Sequence, residues 1–293
     1  MSAPTTLPDV TLVTQPGVYE MTAQQYHTDP VPGGSLSSTG TRKLLPPSCP
    51  AKFRHWLDEG QDPKKEFDLG HAAHREVLGV GARVVLVERP RWDTNEVKAE
   101  VAAIRTRGDV PLKRAEYDQV KAMAKVLLEH PIAGPLFEPG RGVAEQTLVW
   151  QCQRTGVWCR AMLDWLVRAE GRRTLIIDYK SCTSAAPDDL PRVIHQRSYH
   201  VQDAHYRDGV EATGLAPHGA AFVFVYQEKT PPYAVTVTQL PALDQTIGTD
   251  LCHQARTLYR QCMESGRWPG YSDDIEIISL PPYVQRQYME DHQ

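Results

Sequence analysis

The stretch from residue 145 to residue 226 limits most tightly what this chain can fold into. Three segments rich in β-branched and aromatic residues, 145–150, 157–164 and 174–179, are parted by turns at Thr155-Gly156 and Glu170-Gly171, so they read as consecutive strands. A proline-bearing loop at 187–191 leads into a helical pattern over 193–214. Ala220-Ala221-Phe222-Val223-Phe224-Val225-Tyr226 and Ala234-Val235-Thr236-Val237 add two further strands, and 240–265 reads as a closing helix. Elements in this order predict an α/β fold, with helices flanking a central sheet of about five strands.

The preceding part is mostly helical. Ser35-Leu36-Ser37-Ser38 offers hydroxyls for a helix N-cap ahead of Arg42-Lys43-Leu44-Leu45, and Pro46, Pro47 and Pro50 stop that helix. A second helix beginning near Ala51 carries Phe53, Trp56 and Leu57 on one face. Over 65–80, Phe67, Leu69, Ala73, Val77 and Leu78 recur at three- and four-residue steps, another helical pattern. Residues 84–87 read as extended, and 95–104 and 113–129 as helices with charged faces. The Pro-, Thr- and Gly-rich residues 1–34 are expected to be irregular. No repeat or clear linker divides the rest, which predicts one domain over 35–284, with its core at about 140–240, and a tail over 285–293.

Composition narrows the function classes. The 293 residues are 41% hydrophobic and 23% charged, the balance of a soluble globular protein. No apolar run approaches the ~18 residues of a membrane span. Residues 1–9 lack the basic-then-apolar pattern of a secretory leader, so a cytoplasmic location is expected. Cys49, Cys152, Cys159, Cys182, Cys252 and Cys262 include no C-x-x-C pair and suit reduced thiols. A net charge of −4 argues against a protein that coats nucleic acid, yet leaves room for an enzyme with a locally basic groove.

The chemistry concentrates in two adjacent strands. Asp164 lies in Arg160-Ala161-Met162-Leu163-Asp164-Trp165-Leu166, and Asp178-Tyr179-Lys180 closes the next apolar run. Strand alternation puts Asp178 and Lys180 on one face. Hard oxygen ligands favour Mg²⁺ or Mn²⁺, and a lysine beside them can orient a water or offset charge developing on a phosphate. A surface hairpin with Asp/Lys pairing satisfies the same residues. Arg160, four before Asp164, shares its face by the same alternation and suits either a phosphate contact or a pair with an acid.

Further elements surround these residues: Gly70-His71-Ala72-Ala73-His74 upstream and Gln202-Asp203-Ala204-His205-Tyr206 downstream. Together with the Asp164 and Asp178-x-Lys180 elements they resemble the PD-(D/E)XK nuclease superfamily, and within it the RecB/RecE-like exonucleases with their G-x-x-x-H and Q-x-x-x-Y helix motifs. Ser35 to Gly40, Cys49-Pro50-Ala51-Lys52-Phe53, Gly266-Arg267-Trp268-Pro269-Gly270-Tyr271 and Leu280-Pro281-Pro282-Tyr283 resemble the phage and prophage RecE type, the nuclease domain of exodeoxyribonuclease VIII. The resemblance spans residues 35–284.

The resemblance implies a mixed sheet and Mg²⁺-dependent phosphodiester hydrolysis, with Mn²⁺ as a substitute. His74, or His71 in the same motif, would bind metal with Asp164, Asp178 and the Tyr179 carbonyl. Lys180 would position the water, Gln202 and Tyr206 would border the site, and Glu145 is a candidate for an added carboxylate. The implied substrate is the end of linear double-stranded DNA, digested 5′ to 3′ to leave single-stranded tails for recombination. A ring-shaped homotetramer, a single-strand annealing partner and the cytoplasm of a phage-infected or prophage-bearing bacterium follow from the same likeness. An iron–sulfur cluster is not expected, because only Cys49, Cys252 and Cys262 approach the layout of related cluster-bearing nucleases. Two alternatives share the fold: a nuclease for single-stranded or flap DNA, and a non-catalytic DNA-end-binding module.

Overall fold

The computed structural model describes residues 12–59, 68–89, 91–168 and 170–292; the start of the helix expected over 65–80, with Phe67, lies outside them. In chain order the first elements are β1 (Gly17–Tyr19), α1 (Ala23–His27), β2 (Leu36–Ser37), α2 (Ser38–Leu44), α3 (Pro50–Glu59) and α4 (Asp68–Leu78). A small α/β insertion follows, with β3 (Val84–Leu86), α5 (Asn95–Thr106) and β4 (Val110–Leu112), then α6 (Arg114–Glu129) and α7 (Ala133–Leu136). The central region is β5 (Gly142–Gln151), β6 (Trp158–Val167), β7 (Thr174–Cys182), α8 (Leu190–Arg197), α9 (Tyr199–Ala212), β8 (Ala220–Glu228) and β9 (Val235–Thr238). The chain closes with α10 (Ala242–Ser265) and α11 (Pro282–Asp291).

The main sheet has seven strands in the order β1-β5-β6-β7-β8-β9, with β2 also pairing to β6. It is mixed: β5, β6 and β7 run antiparallel in turn, β7 and β8 run parallel, and β9 returns antiparallel. The five expected strands are all present; of the other two, β1 comes from the segment expected to be irregular and β2 from the stretch 35–38, read only as a helix N-cap. β1 pairs with β5 from Gly17↔Val149 to Tyr19↔Thr147, and β2 pairs parallel to β6 at Cys159 and Arg160. Strands of two or three residues carry too little alternation to be read locally; their partners hold them in place.

Alternation along β8 explains the layering. Phe222, Phe224 and Tyr226 enter a core beneath α2, α9 and α10, while Val223 and Val225 enter a second core beneath α4 and α6. Both faces are covered, so the strand is an unbroken apolar and aromatic run from Ala220 to Tyr226. In β5 and β6 the alternation changes phase. Leu148, Ala161 and Leu163 join the first core, whereas Trp165, Val167 and the partly buried Ala144 join the second. The change falls at Glu145, which adopts φ +48°, and at Asp164 opposite it.

The helix expected over 193–214 is two helices. Ser198 breaks it in the left-handed region, at φ 50° and ψ 44°. No Gly or Pro announces this break. Arg42 of α2 donates Nη1 to the Arg197 carbonyl at 2.8 Å, which satisfies an acceptor that the break frees. Helix α10 crosses α9 so closely that a β-carbon at Gly248 would collide with the His200 carbonyl oxygen. From residue 272 to 292 the chain is exposed except at the half-buried Val284, and α11 buries no residue across the boundary drawn at 285. Among the described residues no helix is long and apolar enough to cross a membrane.

Candidate active site

The site forms where two strands part. The β6–β7 ladder runs from Val167↔Leu175 to Trp165↔Ile177 and goes no further, although the same register would next oppose Asp164 and Asp178. Both strands continue past this point, so the two aspartates lie within strands and not at their ends as the sequence implied. The Tyr179 amide instead donates to the Asp164 carboxylate, Oδ2, at 3.0 Å. β7 keeps its pairing to β8 through Cys182, which holds Asp178 and Lys180 in register.

Helix α4 brings His74 to the gap, with Nε2 3.1 Å from Asp164 Oδ2. Gly70, one turn earlier on α4, packs near Ser181, where a β-carbon would sit 3.4 Å from Ser181 Oγ, an ordinary contact. His74 is therefore the motif histidine at the acids. His71 is exposed and its charge is felt instead by His27. On the other side of the sheet Gln202 of α9 donates Nε2 to Asp178 Oδ1 at 2.6 Å. Lys180 Nζ lies 2.6 Å from Asp178 Oδ2, a close ion pair.

Environment separates the two carboxyls. Burial pushes Asp178 up to about 6, and the Asp164 charge adds to this against the opposing pull of Lys180. Burial also raises Asp164, but the charge and hydrogen bond of His74, with Lys180 and the Tyr179 amide, outweigh it and hold Asp164 below its ordinary range. His74 is raised, since Asp164, Glu145 and Asp178 together overcome its burial. Lys180 is likewise raised, because Asp178 and Asp164 outweigh desolvation. Two adjacent acids driven in opposite directions are a hallmark of catalytic centres.

The remaining predicted residues divide. Glu145 stands at the rim, near enough for its charge to act on His74, with Oε1 3.0 Å from where a Gly81 β-carbon would be. Its positive φ is a conformation that glutamate rarely adopts. Tyr206 does not border the site from the surface; it is buried against Phe222, and burial with the nearby acids drives its phenol well up. Arg160 makes no open phosphate contact. It is 5% exposed, donates to the Tyr26 carbonyl, to Asp29 Oδ2 at 2.6 Å and to the Ser35 carbonyl at 2.6 Å, and stacks on the Tyr26 ring. Of its two readings, pairing with an acid is the one realised. Sequence reasoning missed Tyr199, whose ring lies under Lys180. The signal was its step of three to Gln202 and seven to Tyr206 on one helical face.

The donor set suits a hard divalent cation: the carboxylates of Asp164 and Asp178, the His74 imidazole beside Asp164, and the Tyr179 backbone carbonyl. As placed, no three His, Cys, Asp or Glu side chains among the described residues are gathered closely enough to hold one.

A mixed sheet whose central strands part around Asp164 and Asp178-x-Lys180 defines the class as a PD-(D/E)XK-like fold. The chain belongs to the family described as "PDDEXK-like domain of unknown function (DUF3799)", whose model matches residues 40–281. A crystal structure from Eubacterium rectale named "Putative exonuclease" superposes with a TM-score of 0.59 at 12% identity, covering 92% of this chain and 98% of that one. A second, of SSO0001, reaches a TM-score of 0.30 at 15% identity, covering 66% of this chain and 85% of that one, too loose a likeness to bear on the fold. No curated protein matches the sequence significantly.

Proposed function

We propose that this protein is a metal-dependent deoxyribonuclease that hydrolyses phosphodiester bonds at the ends of linear double-stranded DNA. The observation that carries the reading is the gathering of His74, Asp164, Asp178 and Lys180 at the gap between β6 and β7. Digestion from 5′ to 3′, single-stranded tails for recombination, a ring-shaped tetramer, an annealing partner and a phage or prophage setting rest on the RecE-like motifs. The similar crystal structure named "Putative exonuclease" is in keeping with end-directed cleavage.

Asp164, Asp178, His74 and the Tyr179 carbonyl would hold Mg²⁺, or Mn²⁺ in its place. The bound cation supplies Lewis-acid polarisation of the phosphate and a more acidic water. The protein contributes position. Gln202 fixes one oxygen of Asp178 and the Tyr179 amide fixes one of Asp164, so neither carboxylate can turn freely. Lys180 holds its ammonium beside Asp178, where it can orient the attacking water and offset charge growing on the phosphate.

The test is Mg²⁺- or Mn²⁺-dependent release of nucleotides from linear duplex labelled at the 5′ or the 3′ end, with single-stranded and flap DNA in parallel. Release from duplex ends is expected, abolished in Asp164→Asn and Lys180→Ala while DNA binding persists. No release from any DNA at millimolar metal refutes the enzyme reading, and release only from single-stranded or flap DNA refutes the duplex-end substrate.

A further inference from the structure

The ammonium of Lys180 is fixed by more than its carboxylate partner. Its Nζ stands over the Tyr199 ring, 5.0 Å from the centroid. Tyr199 is itself half-buried and braced from β8, with its ring centroid 5.7 Å from that of Phe224 and 6.2 Å from that of Tyr226. Those two rings stack on each other at 5.7 Å with planes 20° apart. The tyrosine is thus the exposed end of an aromatic column rooted in the core.

Its placement depends on the break at Ser198. A continuous helix would point residue 199 along the spiral of α8; the left-handed Ser198 restarts the helix, and Tyr199 becomes the first residue of α9. Arg42 pins that break through the Arg197 carbonyl. Three residues on, Gln202 reaches Asp178 from the same face of α9. One helix face therefore serves both members of the Asp178–Lys180 pair.

We propose that Tyr199 is a positioning residue of the nuclease site, its π face holding the Lys180 ammonium beside Asp178 and toward the phosphate. The inference rests on the nuclease reading above. Lysine has a flexible four-carbon stem, and Asp178 Oδ2, 2.6 Å from Nζ, holds its ammonium from one direction. An electron-rich ring face attracts the ammonium from a second direction and narrows its range. An apolar side chain of similar size would fill the space without that attraction.

The experiment compares wild type, Tyr199→Phe, Tyr199→Leu and a series with progressively fluorinated phenylalanine at 199. It reads kcat and KM on linear duplex, melting temperature, and the NMR shift of the Lys180 ε-methylene. Tyr199→Leu is expected to lower kcat about tenfold with KM little changed. Tyr199→Phe recovers most of that loss, and each added fluorine lowers kcat again, because fluorine withdraws density from the ring face. The Lys180 ε-methylene should be shifted upfield in wild type and Tyr199→Phe, and return downfield in Tyr199→Leu. A flat kcat across the fluorinated series, or a Leu variant as fast as wild type, overturns the role, and a kcat loss that only tracks melting temperature does the same. Wild type that cleaves no DNA defeats the nuclease reading and the role together, while the NMR shift still decides whether the contact exists.

Discussion

His205 cannot take up a proton without loss of stability. The side chain is fully buried within α9, its ring 4.9 Å from the Trp150 ring, and Nε2 lies 3.1 Å from the Arg160 carbonyl oxygen. A carbonyl only accepts, so Nε2 carries the hydrogen and Nδ1 is the bare nitrogen, with no hydrogen-bond partner. Burial, with the charges of Arg256, Arg160 and Arg42, drives the imidazole down to about 3 against the help of that backbone bond. In the unfolded chain its value is about 6.5. The folded state therefore binds fewer protons than the unfolded state between these values. The stabilisation is complete above the unfolded value and is lost as the pH falls toward the folded one, at about 1.4 kcal/mol per pH unit. From about pH 6.5 to about pH 5 the loss is ~2 kcal/mol, a large share of the ~5–15 kcal/mol typical of a folded domain. Urea unfolding of wild type and His205→Gln across this range measures it, since glutamine keeps a donor for the carbonyl and has no proton to gain. The stability difference between the two should shift by about 2 kcal/mol in favour of the variant on acidification. Parallel pH profiles, or a His205 ring resonance titrating near the ordinary histidine value, would refute the reasoning.

Two further outcomes follow from the contacts around the site. Arg160→Met strands Asp29 and the Tyr26 and Ser35 carbonyls, so it should lower stability by about 3–5 kcal/mol in denaturant melts; a loss below about 0.5 kcal/mol, the range of an ordinary surface change, would show that the network is not structural. Gln202→Ala removes the 2.6 Å hydrogen bond to the buried Asp178 carboxyl, worth about 1.5–3 kcal/mol, and should lower kcat about 10- to 100-fold; unchanged kcat in a folded variant would remove Gln202 from the site.

What the sequence made legible follows a physical division. β8 could be read because both of its faces are covered, which writes an uninterrupted apolar run into the chain. Asp178 and Lys180 could be paired because a two-residue period is local. β1 and β2 could not be read, since they are strands only by virtue of β5 and β6. The ambiguity at Arg160 had the same origin: its acid, Asp29, lies 131 residues earlier in a segment with no pattern to suggest it. The break at Ser198 left no trace either, because serine carries no backbone preference for it. His74 rather than His71 was favoured by motif spacing, and the reason for that spacing is the orientation of α4 against β7, a tertiary fact.

The parting of β6 and β7 makes the candidate centre a joint between two bodies of sheet. One body, β1, β2, β5 and β6, carries Asp164; the other, β7, β8 and β9, carries Asp178 and Lys180. Below the joint the ladder still ties them, but at the acids the Tyr179 amide reaches across to the Asp164 side-chain carboxylate. The spacing of Asp164 and Asp178 is therefore set by how the two bodies meet and not by ladder pairing at the acids themselves. Substitutions far from the acids that alter how the two halves of the sheet are set, including those at the N-terminal strands, are then expected to alter turnover as well as stability.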